Sequence, residues 1–375
     1  MSLTTLLLPP PRWRALLAVT VLMLWPGLAN GLNGLSGLPG HLLVFALCGL
    51  GLLPLAIVLS QLVEALVEHL GPRFGGLVSV IFGNVVELLV AINALNSGLY
   101  PLVVISIAGS VVINCLPVLG LGIVVATTRE QPQAIDPHSR DLHTQQLLMS
   151  AILLALPSVF YQRGIEAAMQ GSNRPDAFSN YSILVALLAL AYYALAFALP
   201  RGGQHPAQPA QPQPSHGQGS PQPLRVIVLS LAIVTALVAL ISERLVGALE
   251  QLVSASHLNE LFVGLFLLPL FGCLPEALVA LRAASRRQMQ LLMTSTVESS
   301  LQLLLFVLPL LVLIGIPMGR YLHLSLPPIA LAAMAIAIAM VERMTANREV
   351  AWYEGIQLIV LFAAMAVGAL LLISP

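Results

Sequence analysis

Long apolar stretches dominate this chain, and their length is the feature that most constrains its fold. About eleven stretches are close to the 20 residues that a helix needs to cross a bilayer. We place them at residues 13–31, 40–66, 75–96, 99–126, 143–161, 178–199, 224–246, 257–281, 289–315, 325–342 and 352–373. Only 9% of the 375 residues are charged, whereas a soluble domain carries about 25%. The sequence therefore predicts an all-α polytopic membrane protein.

The arginines indicate how these helices are oriented in the bilayer. The chain has sixteen basic residues, all of them arginine. With the N-terminus in the cytoplasm, twelve arginines fall on the inside, and four, Arg163, Arg174, Arg244 and Arg320, fall on the outside. Because cytoplasmic loops are usually rich in arginine, we expect a cytoplasmic N-terminus. The high leucine and alanine content, without organelle signals, favours the inner (plasma) membrane of a bacterium.

Other classes of protein fit the composition poorly. The formal net charge is zero, so the overall charge does not favour nucleic acid as a partner. Cys48, Cys115 and Cys273 lie in apolar stretches without metal-binding spacing, which argues against a disulfide framework or a zinc site. The chain has neither a nucleophile–base spacing nor a metalloprotease motif, so we do not expect an enzyme. We expect no cofactor, and the lipid bilayer is the predicted environment.

A polar segment divides the apolar stretches into two sets. Residues 201–223 are rich in proline, glutamine and glycine, and we expect them to form a disordered cytoplasmic linker. Residues 1–36 have the outline of either a signal peptide or a short helix, and we favour a retained helix. Five spans then lie in residues 37–200 and five in 224–375. Because five is odd, the second set would be upside down, so the halves are predicted to be inverted repeats.

Two glutamates lie within apolar stretches at matching places in the two halves. Gly83 precedes Glu87 by four residues, and Gly272 precedes Glu276 by four. The offset between the halves is therefore the same for the glycines and for the glutamates (272 − 83 = 276 − 87). An acid near the middle of a membrane helix costs about 2.5–3.5 kcal/mol on insertion scales, so it marks a candidate functional site. Two matched acids predict one ion site near the midplane that both halves share.

Polar side chains accompany both acids and could complete a coordination shell. Hard cations such as Ca²⁺ bind about six to eight oxygen ligands with flexible geometry. Taken alone, each polar residue is explained at least as well by a hydrogen bond between helices. The candidate ligands are the acids with the polar residues beside them and in the helices that follow: Asn84, Glu87, Ser110, Asn114, Glu276, Ser299, Ser300 and Gln302.

These motifs resemble those of the calcium/cation antiporter superfamily, specifically its Ca²⁺/H⁺ exchanger branch. The first signature repeat is similar to GNVVELLVAINAL at 83–95 followed by AGSVVINCLPVLGLG at 108–122. The second is similar to FVGLFLLPLFGCLPEALVAL at 262–281 followed by SSLQLLLFVLPLLVLIG at 299–315. Residues 352–372 resemble the last helix of the family, and the whole resemblance covers about residues 40–375.

The resemblance implies eleven helices, a central cation site between the two acidic helices, and alternating access. In the family, the glutamates of both signature helices bind Ca²⁺ or protons, and they correspond to Glu87 and Glu276. The first-repeat asparagine corresponds to Asn84. The polar positions of the following helices correspond to Ser110, Asn114, Ser299, Ser300 and Gln302.

The second motif departs from the family pattern Gly-Asn-Ala-Ala-Glu-His. This chain has Cys273 for the asparagine, Pro275 for the second alanine and Ala277 for the histidine. A thiol is a soft ligand that suits Ca²⁺ poorly, and Pro275 is expected to break the helix beside the site. Glu298 stands where the family usually has glycine and adds one further candidate ligand.

We therefore expect a secondary active antiporter that exchanges Ca²⁺ for H⁺ by alternating access. The transported ions would be Ca²⁺ and protons. One alternative is exchange of another cation, Na⁺ or K⁺ for H⁺ or Na⁺ for Ca²⁺, because the second motif is altered. Another is a cation-binding membrane protein that does not transport.

Overall fold

A computed structural model describes residues 16, 17, 19, 20 and 23, and then 38–127, 133–134, 137–169, 175–198, 223–256, 258–346 and 349–372. Within these ranges the chain is almost entirely helical, which confirms the predicted class. The predicted linker 201–223 lies outside the described residues except for Pro223, and so does most of the predicted N-terminal helix.

The helices are numbered here in chain order. They are α1 (Leu38–Gly83), α2 (Val85–Asn96), α3 (Tyr100–Ile113), α4 (Leu119–Thr127), α5 (Pro137–Met169), α6 (Pro175–Ala198), α7 (Leu224–Ser256), α8 (Glu260–Phe262), α9 (Leu268–Gly272), α10 (Leu274–Ser285), α11 (Met289–Gln302), α12 (Leu308–Gly315), α13 (Pro328–Thr345) and α14 (Trp352–Leu372). Turns of π-helix join α3 to α4, α8 to α9 and α11 to α12, over Asn114–Val118, Val263–Leu267 and Leu303–Val307. Two short strands, β1 (Gln133–Ala134) and β2 (Glu349–Val350), pair antiparallel.

Several helices of the described chain are long and apolar enough to cross a membrane. There are six such helices, or up to eight spans if each of two bent helix pairs counts as one. The predicted span 143–161 is helical as part of α5, and residues 328–342 of the predicted span 325–342 are helical as part of α13. Neither is among these eight. The protein is therefore an integral, multi-pass membrane protein. The six single helices are Gly40–Gly71, Tyr100–Thr127, Phe178–Ala196, Leu224–Ala255, Met289–Gly315 and Trp352–Leu371.

The two halves interrupt their helices at matching residues. The helix before each acid ends at Gly83 and at Gly272, and the π-helical turns of the next spans begin at Asn114 and Leu303. Both pairs are separated by the same offset (272 − 83 = 303 − 114), and α2 and α10 also begin and end at that offset. The chain bends by 49° where α1 meets α2 and by 60° where α9 meets α10. The halves therefore share a pattern of helix breaks as well as a pattern of residues.

The described residues form two compact units, and each unit draws on both halves of the chain. The first holds residues up to Ala94 together with those of the second half up to Leu258. In it α1 packs along α7, and the amide of Asn93 donates a hydrogen bond to the Ala239 carbonyl at 3.2 Å. Gly71, with φ of 74°, lies between the predicted spans 40–66 and 75–96, so a local kink rather than a loop separates them.

The second unit holds the residues from Leu95 onward in the first half and from Asn259 onward in the second. Gly109 and Gly120 are two of the glycines at which its helices approach closely. A side chain at Gly109 would overlap the carbonyl oxygen of Leu265, and a Cβ at Gly120 would lie 2.7 Å from the carbonyl oxygen of Gly355. These contacts fix α3 against the π-helical turn before α9, and α4 against α14.

Candidate ion-binding site

Each of the two predicted acids lies in the first turn of a half-helix. Glu87 is the third residue of α2, and Glu276 is the third residue of α10. The N-terminal end of a helix carries about half a positive charge, because its first N–H groups lack partners within the helix. Both carboxylates therefore lie at the helix end that stabilises negative charge, which offsets part of the cost of an ionised acid in an apolar segment.

Asn84 forms the break in the first half. Its Nδ2 donates a hydrogen bond to the carbonyl of Val80 at 3.1 Å, which completes the last turn of α1. Its own carbonyl accepts the N–H of Leu88 at 3.0 Å, which begins α2. Asn84 is 2% exposed and Glu87 is 6% exposed. One buried residue thus ends one helix and starts the next, within one turn of the acid.

Cys273 forms the break in the second half. Its N–H donates to the carbonyl of Pro269 at 2.9 Å, and its carbonyl accepts the N–H of Ala277 at 2.9 Å. Pro275 stands in the first turn of α10, where the missing N–H of proline costs little. The first half bends at Asn84 without a proline, so the proline alone does not account for the bend.

Asn114 and Ser299 come together in the second unit. The Nδ2 of Asn114 donates a hydrogen bond to the Oγ of Ser299 at 3.2 Å. Asn114 has no exposed surface, and within the described part of the chain its buried Oδ1 has no hydrogen-bond partner. A buried acceptor without a donor costs free energy unless a ligand takes it, and a hard cation is such a ligand.

The backbone of α3 and a neighbouring thiol extend this group. The thiol of Cys273 lies 3.7 Å from the carbonyl oxygen of Ser110 and donates to it. That same oxygen accepts the backbone N–H of Asn114. The sulfur of Cys115 lies 3.8 Å from the Oγ of Ser300. Cys115 was not a predicted site residue, and its only sequence signal is its position next to Asn114.

Glu298 and Gln302 form a second polar group on α11. The Nε2 of Gln302 donates to the Oε1 of Glu298 at 3.4 Å. Tyr193 of α6 hydrogen-bonds to the side chain of Gln302 and lies near the charge of Glu298. Glu298 and Gln302 thus face α6, whereas Ser299 of the same helix contacts Asn114.

The second unit therefore brings together four of the predicted polar residues, Ser110, Asn114, Ser299 and Ser300, around Cys115 and Cys273. Asn84 and Glu87 belong to the first unit, where they share one helix break. Groups of three or more His, Cys, Asp or Glu side chains that could hold a metal ion are not found among the described residues.

Known proteins resemble this chain over most of its length. The family model described as sodium/calcium exchanger protein matches residues 40–200 and 226–371. The Ca²⁺/H⁺ antiporter of Synechocystis sp. is 29% identical over 347 residues, which cover 88% of this chain and 91% of that relative. The vacuolar calcium ion transporter of Schizosaccharomyces pombe is 29% identical over 330 residues, with coverages of 87% and 78%. The solved structure of native YfkE has a TM-score of 0.76 at 25% identity, covering 96% of this chain and 99% of its own.

Proposed function

This chain belongs to the sodium/calcium exchanger protein family, and on that premise we propose that it exchanges Ca²⁺ for H⁺ across a membrane. Two relatives that match most of its length are named as a Ca²⁺/H⁺ antiporter and a calcium ion transporter. The observation that carries the proposal is the paired placement of Glu87 and Glu276, each the third residue of a half-helix that follows a matched break.

The proposed architecture has eleven helices. Residues 37–200 and 224–375 would form two five-helix repeats of opposite orientation, preceded by a helix in residues 1–36 and joined by a cytoplasmic linker at 201–223. The constant offset of the helix breaks supports the repeat. The odd number of spans in each repeat supports the inversion, because the second copy then enters the bilayer from the other side.

Charge balance explains why such a site would couple the two ions. A buried carboxylate is unfavourable when ionised, and either a proton or a cation removes that penalty. Two protons neutralise Glu87 and Glu276, and one Ca²⁺ does the same. The empty site carries two negative charges and cannot cross the apolar barrier. Access would therefore alternate only when the site is loaded, so that Ca²⁺ moves one way and protons the other.

The remaining ligands would come from neutral oxygen atoms. The Oδ1 of Asn114 is the strongest candidate, since it is buried without a hydrogen-bond partner in the described part of the chain. Ser110, Ser299 and Ser300 lie within the same group of contacts, and Asn84 adjoins Glu87. Glu298 and Gln302 would act from their own group on α11. Oxygen atoms of this kind suit the flexible shell of Ca²⁺.

We also propose a bacterial plasma membrane as the location, with the N-terminus in the cytoplasm. The arginine distribution supports the orientation. The relatives are divided on the membrane, since one is bacterial and another is named as vacuolar. Fractionation of the native cell tests the membrane. With eleven helices the C-terminus would face the side opposite the cytoplasm, so a reporter fused to the C-terminus that is active in the cytoplasm would contradict the orientation.

A reconstituted cation scan tests the exchange itself and separates it from Na⁺ or K⁺ exchange. Purified protein is placed in liposomes with a preset pH gradient, and each cation is added outside. Ca²⁺ at micromolar concentration should collapse the gradient, whereas Na⁺ and K⁺ should not. Liposomes without protein are the control. Collapse by Na⁺ or K⁺ without Ca²⁺ would favour the alternative exchangers, and binding without any flux would favour a protein that does not transport.

A further inference from the structure

Cys273 stands at the position in the second half where the first half has an asparagine. Its counterpart in the first half is Asn84, at the offset that the two glycines also share (273 − 84 = 272 − 83). Both residues form the single-residue break before an acidic half-helix. The two matched breaks therefore differ in chemistry, because one carries a carboxamide and the other a thiol. Cys273 is 1% exposed, so its sulfur lies inside the protein.

The thiol points toward the polar group of α3 rather than toward lipid. Its sulfur lies 3.7 Å from the carbonyl oxygen of Ser110, and that oxygen also accepts the backbone N–H of Asn114. Sharing this acceptor places the sulfur beside the start of the π-helical turn that Asn114 begins. The Oδ1 of Asn114 is fully buried and has no hydrogen-bond partner among the residues that the structure describes.

Two further groups add ligands of both kinds. Glu276 follows Cys273 by three residues, which is about one helical turn, and supplies a carboxylate. Cys115 follows Asn114 directly, with its sulfur 3.8 Å from the Oγ of Ser300. This side of the predicted site thus combines sulfur with amide and carboxylate oxygens. Hard cations such as Ca²⁺ select oxygen, whereas softer divalent ions also bind thiolate.

We propose that Cys273 is a specificity-determining residue that lets the site bind a soft divalent cation, of which Cd²⁺ is the probe. The cation bonds to the sulfur of Cys273, and the Oδ1 of Asn114 and the Glu276 carboxylate complete this side of its shell. When the metal–sulfur bond forms, the S–H bond breaks and its proton passes to water, without any change of oxidation state. The inference rests on the proposed function, since it names a further ion for that same site.

The test combines a spectroscopic and a transport measurement on the purified full-length protein. Cd²⁺ bound to a thiolate gives an ultraviolet charge-transfer band, and Ca²⁺ should displace that band because both ions occupy one site. In proteoliposomes, Cd²⁺ should inhibit Ca²⁺ uptake. Cys273→Asn restores the side chain found at Asn84, and we expect it to lose the band and to need about tenfold more Cd²⁺ for half inhibition.

Two more variants serve as checks on folding and on other thiols. Cys273→Ser keeps the size of the side chain, and it should behave like Cys273→Asn. Cys48→Ser removes a buried thiol of the first unit, which lies 3.9 Å from the Sδ of Met23, and should retain both the band and the inhibition of the unmodified protein.

The outcomes separate this inference from the proposed function. A band and a Cd²⁺ sensitivity that persist in Cys273→Asn and Cys273→Ser would overturn the inference, as would a band in the unmodified protein that Ca²⁺ does not displace. If the band depends on Cys273 but the unmodified protein exchanges no Ca²⁺ for H⁺, the soft-cation site stands and the proposed function fails.

Discussion

The side-chain amide of Asn114 donates a hydrogen bond to the hydroxyl of Ser299 at 3.2 Å, and so joins the polar helices of the two signature regions. The bond engages the nitrogen of the carboxamide and thereby fixes the direction of its oxygen. That oxygen is buried and has no hydrogen-bond partner within the described ranges. We propose that this oxygen is an ion ligand, and its orientation is then set before the ion arrives.

Asn114→Ala removes this oxygen and the bond to Ser299. We expect the apparent affinity for Ca²⁺ to fall by about tenfold, or about 1.4 kcal/mol, which is close to the lower end of the range for a hydrogen bond to a charged group. The apparent affinity is measured by varying the Ca²⁺ concentration and recording Ca²⁺ uptake driven by a pH gradient. Ser106→Ala is the control, because the Ser106 hydroxyl donates to the carbonyl of Val103 in its own helix. Equal losses in the two variants would contradict a ligand role.

Gly109→Ala tests the close approach of α3 to the second half. The added methyl group would overlap the carbonyl oxygen of Leu265, and overpacking of this kind costs about 1–3 kcal/mol. We expect a clear drop in the temperature at which the detergent-purified protein loses its monodisperse peak. Gly368→Ala is the matched control, since a Cβ there meets no atom within 4 Å. A similar midpoint for both variants would show that the contact is not tight.

The hydroxyl of Ser158 holds the segment between α12 and α13. It accepts the N–H of Leu326 at 2.8 Å and donates to the carbonyl of Leu324 at 3.4 Å. Ser158→Ala leaves that N–H unsatisfied, which costs about 1–3 kcal/mol, so hydrogen exchange at residues 316–327 should become faster. Ser150→Ala should leave it unchanged, because the Ser150 hydroxyl bonds to Leu147 within α5. Unchanged exchange in Ser158→Ala would contradict this role.

His323 lies in the same segment, outside the membrane-spanning helices, with its ring 5.5 Å from that of Phe178 between centroids. Partial burial lowers the pKa of its imidazole from the ordinary value of 6.5. The folded protein therefore binds this proton less tightly than the unfolded chain does. The resulting stability is present above about pH 6.5 and is lost as the pH falls through the lowered pKa of the folded state.

His323→Gln removes this titration. We expect the thermal midpoint of the unmodified protein to fall between neutral pH and about pH 5 by more than that of the variant. Scans of both proteins in the same buffers measure the difference. An identical fall in both would show that other groups cause the acid sensitivity.

Hydropathy and the constant offset between the two halves were sufficient to predict many of the helical spans and the matched positions of the two acids. The span predicted at 289–315 coincides with the helix from Met289 to Gly315, because a long apolar run has few alternatives to a helix in a bilayer. The matched positions of Ser110 and Ser299 (299 − 110 = 276 − 87) also placed both beside the acidic helices, and their role as ion ligands stays a prediction. These are properties of the local sequence, and a single chain displays them directly.

Of the two helix breaks beside the acids, the one in the second half was expected from Pro275, whereas the one at Asn84 could not be predicted in the same way. Asn84 and Cys273 each interrupt a span at one residue, and a window of about 20 residues averages such a break away. The π-helical turn that begins at Asn114 contains Pro117, and a membrane helix can accommodate a proline by such a local π adjustment, but neither shows where an acid lies in its helix. As a result, the sequence did not reveal that each acid lies at the positive end of a half-helix.

Simultaneous recording of Ca²⁺ and pH in proteoliposomes tests the central claim most directly. The unmodified protein should take up Ca²⁺ as protons leave, and the reverse gradient should drive the reverse exchange. Glu87→Gln and Glu276→Gln should each abolish both fluxes, while the variants still express and elute as monodisperse protein. Normal Ca²⁺ uptake driven by a pH gradient in either variant would contradict an ion site built on these two carboxylates.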